Sequence, residues 1–266
     1  MSVEENQQSI VTLRQRGHVL LMGINRPEKR NAFNIELLRE LGRAYELLER
    51  EDDLRCGVLF AHGEHFTAGL DLAEVGPALA EGNLSYPDDA RDPWRNDGKP
   101  WTTPVVAAAH GWCMTLGIEL LLAADIRVAS NDVRFAQLEI QRGIYPFGGA
   151  TFKLPRAAGW GNAMRWLLTG DEFRADEAHR IGLIQEVTED GAQLDRAVEL
   201  AESIATRSAP LGVRATLASA QLALAEGDEA AAARLTDDAG ALLQTEDGVE
   251  GMMSFIERRP AKFTGR

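Results

Sequence analysis

Residues 104–129 constrain the fold more tightly than any other part of the chain. Pro104-Val-Val-Ala-Ala-Ala109 is a short apolar run that reads as a buried strand, and Asp125-Ile-Arg-Val-Ala129 reads as another. Between them, residues 116–124 are apolar enough to form a buried helix. Strands without polar alternation, separated by a helix, are the pattern of a sheet covered on both faces, so the chain belongs to the α/β class.

The same alternation extends toward the N-terminus. Residues 10–25 form two strand-like runs joined at Arg16-Gly17 in the manner of a hairpin. Asn34 is placed to cap a helix whose apolar positions Leu38, Leu41, Tyr45 and Leu48 recur at helical spacing, and residues 56–60 form the next strand. Residues 76–99, rich in Gly, Pro, Asp and Asn, read as a long surface insertion. Past residue 187 the character changes, with helices expected over 193–207, 209–225, 228–243 and 248–258. The expected organisation is a core over residues 1–200 and a C-terminal helical region over 201–266 that packs or oligomerises.

Within the apolar helix stands one acid, Glu119. Its neighbours three and four residues away are Leu116, Leu122, Thr115 and Ala123, none of them a cation. A buried carboxyl without a partner costs several kcal/mol or takes up a proton, on the order of the desolvation penalties known for such groups. Glu119 is therefore a poor structural choice and a good chemical one, although a Glu at a helix edge could also reach solvent. A second acid, Glu139, is flanked by Phe135, Leu138 and Ile140 and followed by a Gly- and Pro-rich turn. Read locally, Glu139 suits a surface ion pair with Arg142; its combination with Glu119 makes it a candidate. A third segment, His65-Phe-Thr-Ala-Gly-Leu-Asp-Leu72, follows a strand and leads into a helix start. Ala68 and Gly69 there would let a ligand approach free backbone N–H groups.

Several functions are disfavoured. A formal net charge of -13 opposes a nucleic-acid-binding face. The polar, acidic start and the lack of a long apolar run predict a cytoplasmic protein without a membrane segment. Cys56 and Cys113 sit in apolar segments with no CxxC or Cys/His cluster, so they read as reduced buried thiols, and no metal site is expected. No G-x-G-x-x-G opening a βαβ unit and no P-loop occurs, so no redox cofactor is implied.

Taken in order, four motifs resemble the enoyl-CoA hydratase/isomerase (crotonase) family. They are Asn25-Arg-Pro-Glu-Lys-Arg-Asn-Ala-Phe-Asn34, Phe66-Thr-Ala-Gly-Leu-Asp71, Gly111-Trp-Cys-Met-Thr-Leu-Gly-Ile-Glu-Leu120, and Phe135-Ala-Gln-Leu-Glu139 with the turn over 143–149. The resemblance covers almost the whole chain. It implies a spiral of ββα units with a C-terminal helical region, and an enzyme of fatty-acid metabolism acting on acyl-CoA. It also implies a homotrimer or homohexamer built through the C-terminal helices. The backbone N–H groups of Leu70 and Leu116 would form an oxyanion hole for the thioester oxygen. Glu119 and Glu139 would hold one water between them, one removing a proton and the other supplying one. Arg26, Lys29, Ala68, Gly69, Asp71 and Gly117 fall at positions that bind substrate or CoA, and CoA itself enters as part of the substrate.

Both glutamates together favour hydration of a 2-enoyl-CoA; a double-bond isomerase, which needs only one base, is the alternative. A non-catalytic crotonase-fold protein that binds CoA, RNA or a partner is a third reading, opposed by the retained glutamates and the acidic charge. Departures from the family pattern concern the acyl group. Thr115-Leu116-Gly117 stands where hydratases commonly carry three glycines, and Ala73 and Glu74 stand where a Lys is often found. Lys29 and Arg30 suit either CoA phosphates or surface ion pairs. The insertion over 76–99 lies where the family shapes its acyl pocket, and Trp94 or Trp101 is expected to line or cover the site, or else to dock the loop onto the body.

Overall fold

The computed structural model describes residues 8–82, 84–96, 99 and 101–266, so the acidic N-terminal start and parts of the insertion lie outside the described residues. The first half of the chain runs β1 (Val11–Arg16), β2 (Val19–Ile24), α1 (Ile35–Arg50), β3 (Cys56–Ala61), α2 (Leu72–Ala80), β4 (Val105–Ala109), β5 (Trp112–Met114), α3 (Leu116–Ala123), β6 (Ile126–Ser130) and β7 (Arg134–Ala136). The second half continues α4 (Ala150–Ala158), α5 (Trp160–Thr169), β8 (Phe173–Arg174), α6 (Ala175–Arg180), β9 (Glu186–Thr188), α7 (Gln193–Arg207), α8 (Pro210–Glu226), α9 (Asp228–Ala232), α10 (Leu235–Leu243) and α11 (Glu246–Glu257).

Six strands form the main sheet in the order β1-β2-β3-β4-β6-β9. The β1–β2 hairpin is antiparallel, and every later pairing is parallel. A smaller sheet, β5-β7-β8, forms a second layer. Each circuit of the chain crosses the main sheet and then the small layer. Thus β4 leads to β5 and then α3, β6 leads to β7, and Thr67 after β3 bridges to Cys113 of β5. This is the spiral of ββα units expected from the motifs.

Strand alternation divides the core. Leu20, Met22 and Ile24 of β2 face the large core with Leu37, Leu41, Tyr45 and Leu48 of α1. Val19 and Leu21, with Cys56, Val58, Val106, Ala108 and Val128, face the opposite side, where α7 covers them with Ala197, Val198, Ala201 and Ala205. The main sheet is thus buried on both faces, which explains its continuous apolar strands. Residue 200 lies inside α7, and Ala201 and Ala205 are core residues. A boundary there would cut a helix that seals the sheet, so the C-terminal region separates physically only after α7.

The insertion also differs from a surface loop. α2 continues through Gly76 and Pro77 to Ala80, and Ala90, Asp92 and Trp94 are buried. Trp101 packs in the core against Tyr45, with ring centroids 4.8 Å apart, and Arg95 stacks over its ring. Of the two tryptophans, Trp101 docks the segment and Trp94 reaches the cavity described below. The helix expected over 228–243 is broken into α9 and α10.

α1 starts where its cap predicts, the Asn34 side chain accepting from the Leu37 N–H at 2.9 Å. Asn34→Ala removes that acceptor and is expected to cost about 1 kcal/mol. Chemical denaturation with an unchanged m-value checks it, and a loss below a few tenths of a kcal/mol would show that the cap contributes nothing net.

Candidate active site

Two loops deliver backbone donors to one cavity. In the loop after β3, Thr67 bonds both ways with the small sheet: its N–H donates to Trp112 O at 2.8 Å and its carbonyl accepts from Met114 N at 3.0 Å. Gly69 O then accepts from Phe33 N at 2.8 Å, and Asp71 N donates to Phe33 O at 2.9 Å. These bonds occupy the groups on either side of Leu70. Among the described residues no acceptor engages the Leu70 N–H itself. Gly69 has φ +105, and a Cβ there would collide with Thr115 Oγ1, so this approach requires glycine.

The second donor opens α3. Thr115 is held at φ 50 and ψ -115, a conformation strained for a β-branched residue, with its N–H on Ala136 O at 2.9 Å. Leu116 follows as the first helical residue, and among the described residues its N–H has no acceptor. Leu70 and Leu116 both line a cavity of about 370 Å³, together with Trp94, Phe147, Gly148 and Glu119. The Trp94 indole N–H donates to Leu116 O at 3.2 Å, tying the insertion to the start of α3.

Glu119 is 2% exposed and accepts from Ala150 N at 3.0 Å. Burial raises its proton affinity, while the amides of the Gly148–Ala150 turn and the charge of Lys153 oppose that rise. The turn approaches closely: a Cβ on Gly148 would lie 2.5 Å from Glu119 Oε2. Glu139, in a 3-10 turn over Leu138–Arg142, is 7% exposed. Burial foremost, with the charge of Glu119 adding to it, pushes its carboxyl up to about 7. Two acids in one field do not ionise independently, so near neutral pH the pair tends to retain a proton.

The remaining expected residues fall into two groups. Arg26 is turned inward, pairing with Asp71 at 3.0 Å and donating to Ala32 O at 2.8 Å, so these two side chains brace the Leu70 loop. Ala68 donates to Arg30 O at 2.9 Å, and Gly117 packs where a Cβ would meet Thr67 Cγ2 at 2.5 Å. Lys29 and Arg30 are exposed, and Arg30 stacks over Trp112. Leu70, Leu116 and Glu119 therefore share the cavity wall, whereas Glu139 is coupled to Glu119 without being part of that wall. Among the described residues Glu139 forms no ion pair with Arg142.

Three further residues carry the site. The buried Gln137 amide, oriented to give its nitrogen to the surrounding acceptors, donates to Thr115 O at 3.2 Å and to the Glu139 carboxylate at 3.0 and 3.2 Å. Asn31, with φ 55, ties the loops together by accepting from Arg26 N at 2.7 Å and donating to His62 O at 2.8 Å and His65 O at 2.7 Å. Lys153 donates to Trp94 O and, at 2.9 Å, to Asn96 Oδ1. An amide two residues before Glu139 was a readable signal for Gln137; nothing local marks Lys153. Both cysteines are buried, free and held as thiols by burial.

In sequence and in structure the chain is similar to known enoyl-CoA hydratases and isomerases. The family model described as "Enoyl-CoA hydratase/isomerase" matches residues 14–266. An enoyl-CoA hydratase of Mycobacterium tuberculosis is 34% identical over 269 residues, covering 100% of this chain and 99% of that protein. A 2,3-dehydroadipyl-CoA hydratase of Escherichia coli is 34% identical over 97% of this chain and 98% of its own length. Among solved structures, a probable enoyl-CoA hydratase/isomerase from Mycobacterium abscessus superposes with a TM-score of 0.93 at 50% identity, covering 96% of this chain and 98% of that one.

The elevated Glu139 carboxyl predicts a pH-dependent stability. In the unfolded chain it releases its proton near its ordinary value of 4.5, and in the folded chain at about 7. Between those values the folded state binds more protons, so this group's contribution falls as pH rises. Glu139→Gln removes that slope. Relative to the parent it should gain on the order of 1–3 kcal/mol between about pH 4.5 and about pH 8, as denaturant unfolding at the two pH values would measure. A pH-independent difference would mean that Glu139 ionises normally in the fold.

Proposed function

This chain belongs to the enoyl-CoA hydratase/isomerase family, and we propose that it adds water across the 2,3 double bond of an enoyl-CoA thioester. One observation carries this reading. Buried Glu119 shares a cavity wall with two N–H groups that have no acceptor among the described residues, and a second buried carboxyl, Glu139, is electrostatically coupled to it. Isomerisation needs a single base, so the second buried carboxyl is the feature that favours hydration.

The thioester oxygen sits between the amides of Leu70 and Leu116. The positive end of α3 adds to the field there, and both donors strengthen as negative charge develops on that oxygen. One carboxylate of the Glu119/Glu139 pair takes a proton from water as the water oxygen bonds to C3. The π electrons move onto the thioester as an enolate. The protonated partner delivers a proton to C2, and the enolate returns to a thioester. One water is consumed, and the pair regains its starting protonation once the proton left on the base is redistributed.

CoA enters as part of the substrate, and no separate cofactor is required by these steps. A homotrimer or homohexamer is the proposed assembly, supported by Leu235 and Leu243 of α10 and Met252, Phe255 and Ile256 of α11, which are all exposed in the single chain. Among the described residues no helix is long and apolar enough to cross a membrane, which supports a cytoplasmic location.

Glu119→Gln and Glu139→Gln should each lower the turnover of 2-enoyl-CoA by about two to four orders of magnitude, with circular dichroism unchanged. Loss of the conjugated-thioester absorbance across a panel of enoyl-CoAs reads the rate. Near-parental turnover in the folded Glu139→Gln protein would point to single-base chemistry instead.

A further inference from the structure

The cavity that carries the two amides is apolar over most of its wall, through side chains such as Leu38, Leu79, Leu84, Trp94 and Phe147. Its charged lining groups are Glu119, Asp92 and Arg39. Asp92 is accounted for: it is 6% exposed, and its carboxylate accepts from Trp94 N at 3.0 Å and Asn96 N at 2.7 Å, closing the turn that presents Trp94. The nearby Lys153 charge interacts favourably with Asp92.

Arg39 is not accounted for in this way. It lies early in α1, and among the described residues its side chain makes no hydrogen bond, ion pair or ring contact. Of the acids in α1, Glu40 and Glu46 are committed to other arginines, and Glu36, one turn before Arg39, makes no ion pair with it among the described residues. Arg43 takes Glu40 at 2.5 Å and Asp89 at 2.9 Å, and Arg91 takes Glu46 at 2.8 Å. The wall that holds Arg39, made of α1 and the segment from Leu79 to Tyr86, contains neither oxyanion donor nor either catalytic carboxyl. A permanently charged, planar fork at the wall of an apolar cavity, with no partner among the described residues, matches a carboxylate brought in by the ligand.

We propose that Arg39 binds a carboxylate carried by the acyl group away from the thioester, so that the preferred substrates are carboxylated enoyl-CoAs rather than simple fatty enoyl-CoAs. This rests on the reading that the cavity holds the acyl group of an enoyl-CoA. Arg39 is exposed at the cavity's edge, so the guanidinium is hydrated rather than stranded in apolar surroundings before the ligand arrives.

The test uses pairs of acyl-CoAs, identical except that one ends in a free carboxylate and the other in its methyl ester. Calorimetric binding of the unreactive saturated pair and kcat/KM on the corresponding enoyl pair are measured on the parent, Arg39→Met and Arg39→Lys. The parent should favour the acid over the ester by about tenfold to a hundredfold, the range for a charge-assisted hydrogen-bonded pair. That ratio should collapse in Arg39→Met and be partly retained in Arg39→Lys. A parent without acid preference overturns the proposal. So does an Arg39→Met protein that weakens acid and ester equally, which would place the guanidinium on the CoA phosphates or reduce its stem to a cover for the cavity. Binding of the saturated pair needs no turnover, so it stays readable even if hydration fails. Hydration of both enoyl substrates without preference would sink this inference alone and leave the hydratase reading standing.

Discussion

Two carboxyl groups are buried close together in an apolar body, and the cost of keeping both as anions dictates what the rest of the chain provides around them. A buried carboxylate without compensation is far more expensive than any single packing contact can offset. Compensation is divided unequally. Glu119 receives the Ala150 amide and the field of Lys153, both of which oppose its desolvation. Glu139 has the Gln137 amide, yet burial and the neighbouring Glu119 charge push it to about 7. On the proposed hydratase reading, that inequality would supply an acid and a base at the same pH.

The surrounding elements hold Glu119 and the two amides at the cavity wall. α3 is a short, fully buried helix locked between β5 and β6, so Glu119 has little freedom to swing toward solvent. The Leu70 and Leu116 amides remain available because the flanking groups are committed, to Phe33 on one side and to Ala136 on the other. At Gly69 and Gly148 the backbone passes too closely for a side chain, the first against Thr115 and the second against Glu119 itself. Arg26, Asp71 and Asn31 brace the same loops from outside the cavity.

Much of this could be read from the residues. The α1 helix showed itself because one face is buried and the other is wet, giving helical periodicity and a clear cap. The β4-α3-β6 unit was legible for the opposite reason, being buried on every side and therefore apolar throughout. Glu119 stood out against that background, whereas Glu139 lies in a 3-10 turn with no periodicity to frame it and needed its partner to be noticed. What escaped reading depends on contacts between distant segments. Gly76 and Pro77 disguised the continuation of α2, and the break between α9 and α10 falls in an Ala-rich run without a local stop signal. Lys153 and Gly148 meet Glu119 only because α4 and its preceding turn fold back over α3.

The claim on which the account depends is that this buried pair retains a proton near neutrality. Carbon-13 NMR titration of the two carboxyl carbons in the folded protein, assigned through the Glu119→Gln and Glu139→Gln variants, tests it directly. The account predicts that Glu139 titrates at about 7 and shifts downward when Glu119 is made neutral. Two independent titrations near the ordinary glutamate value of 4.5 would contradict it.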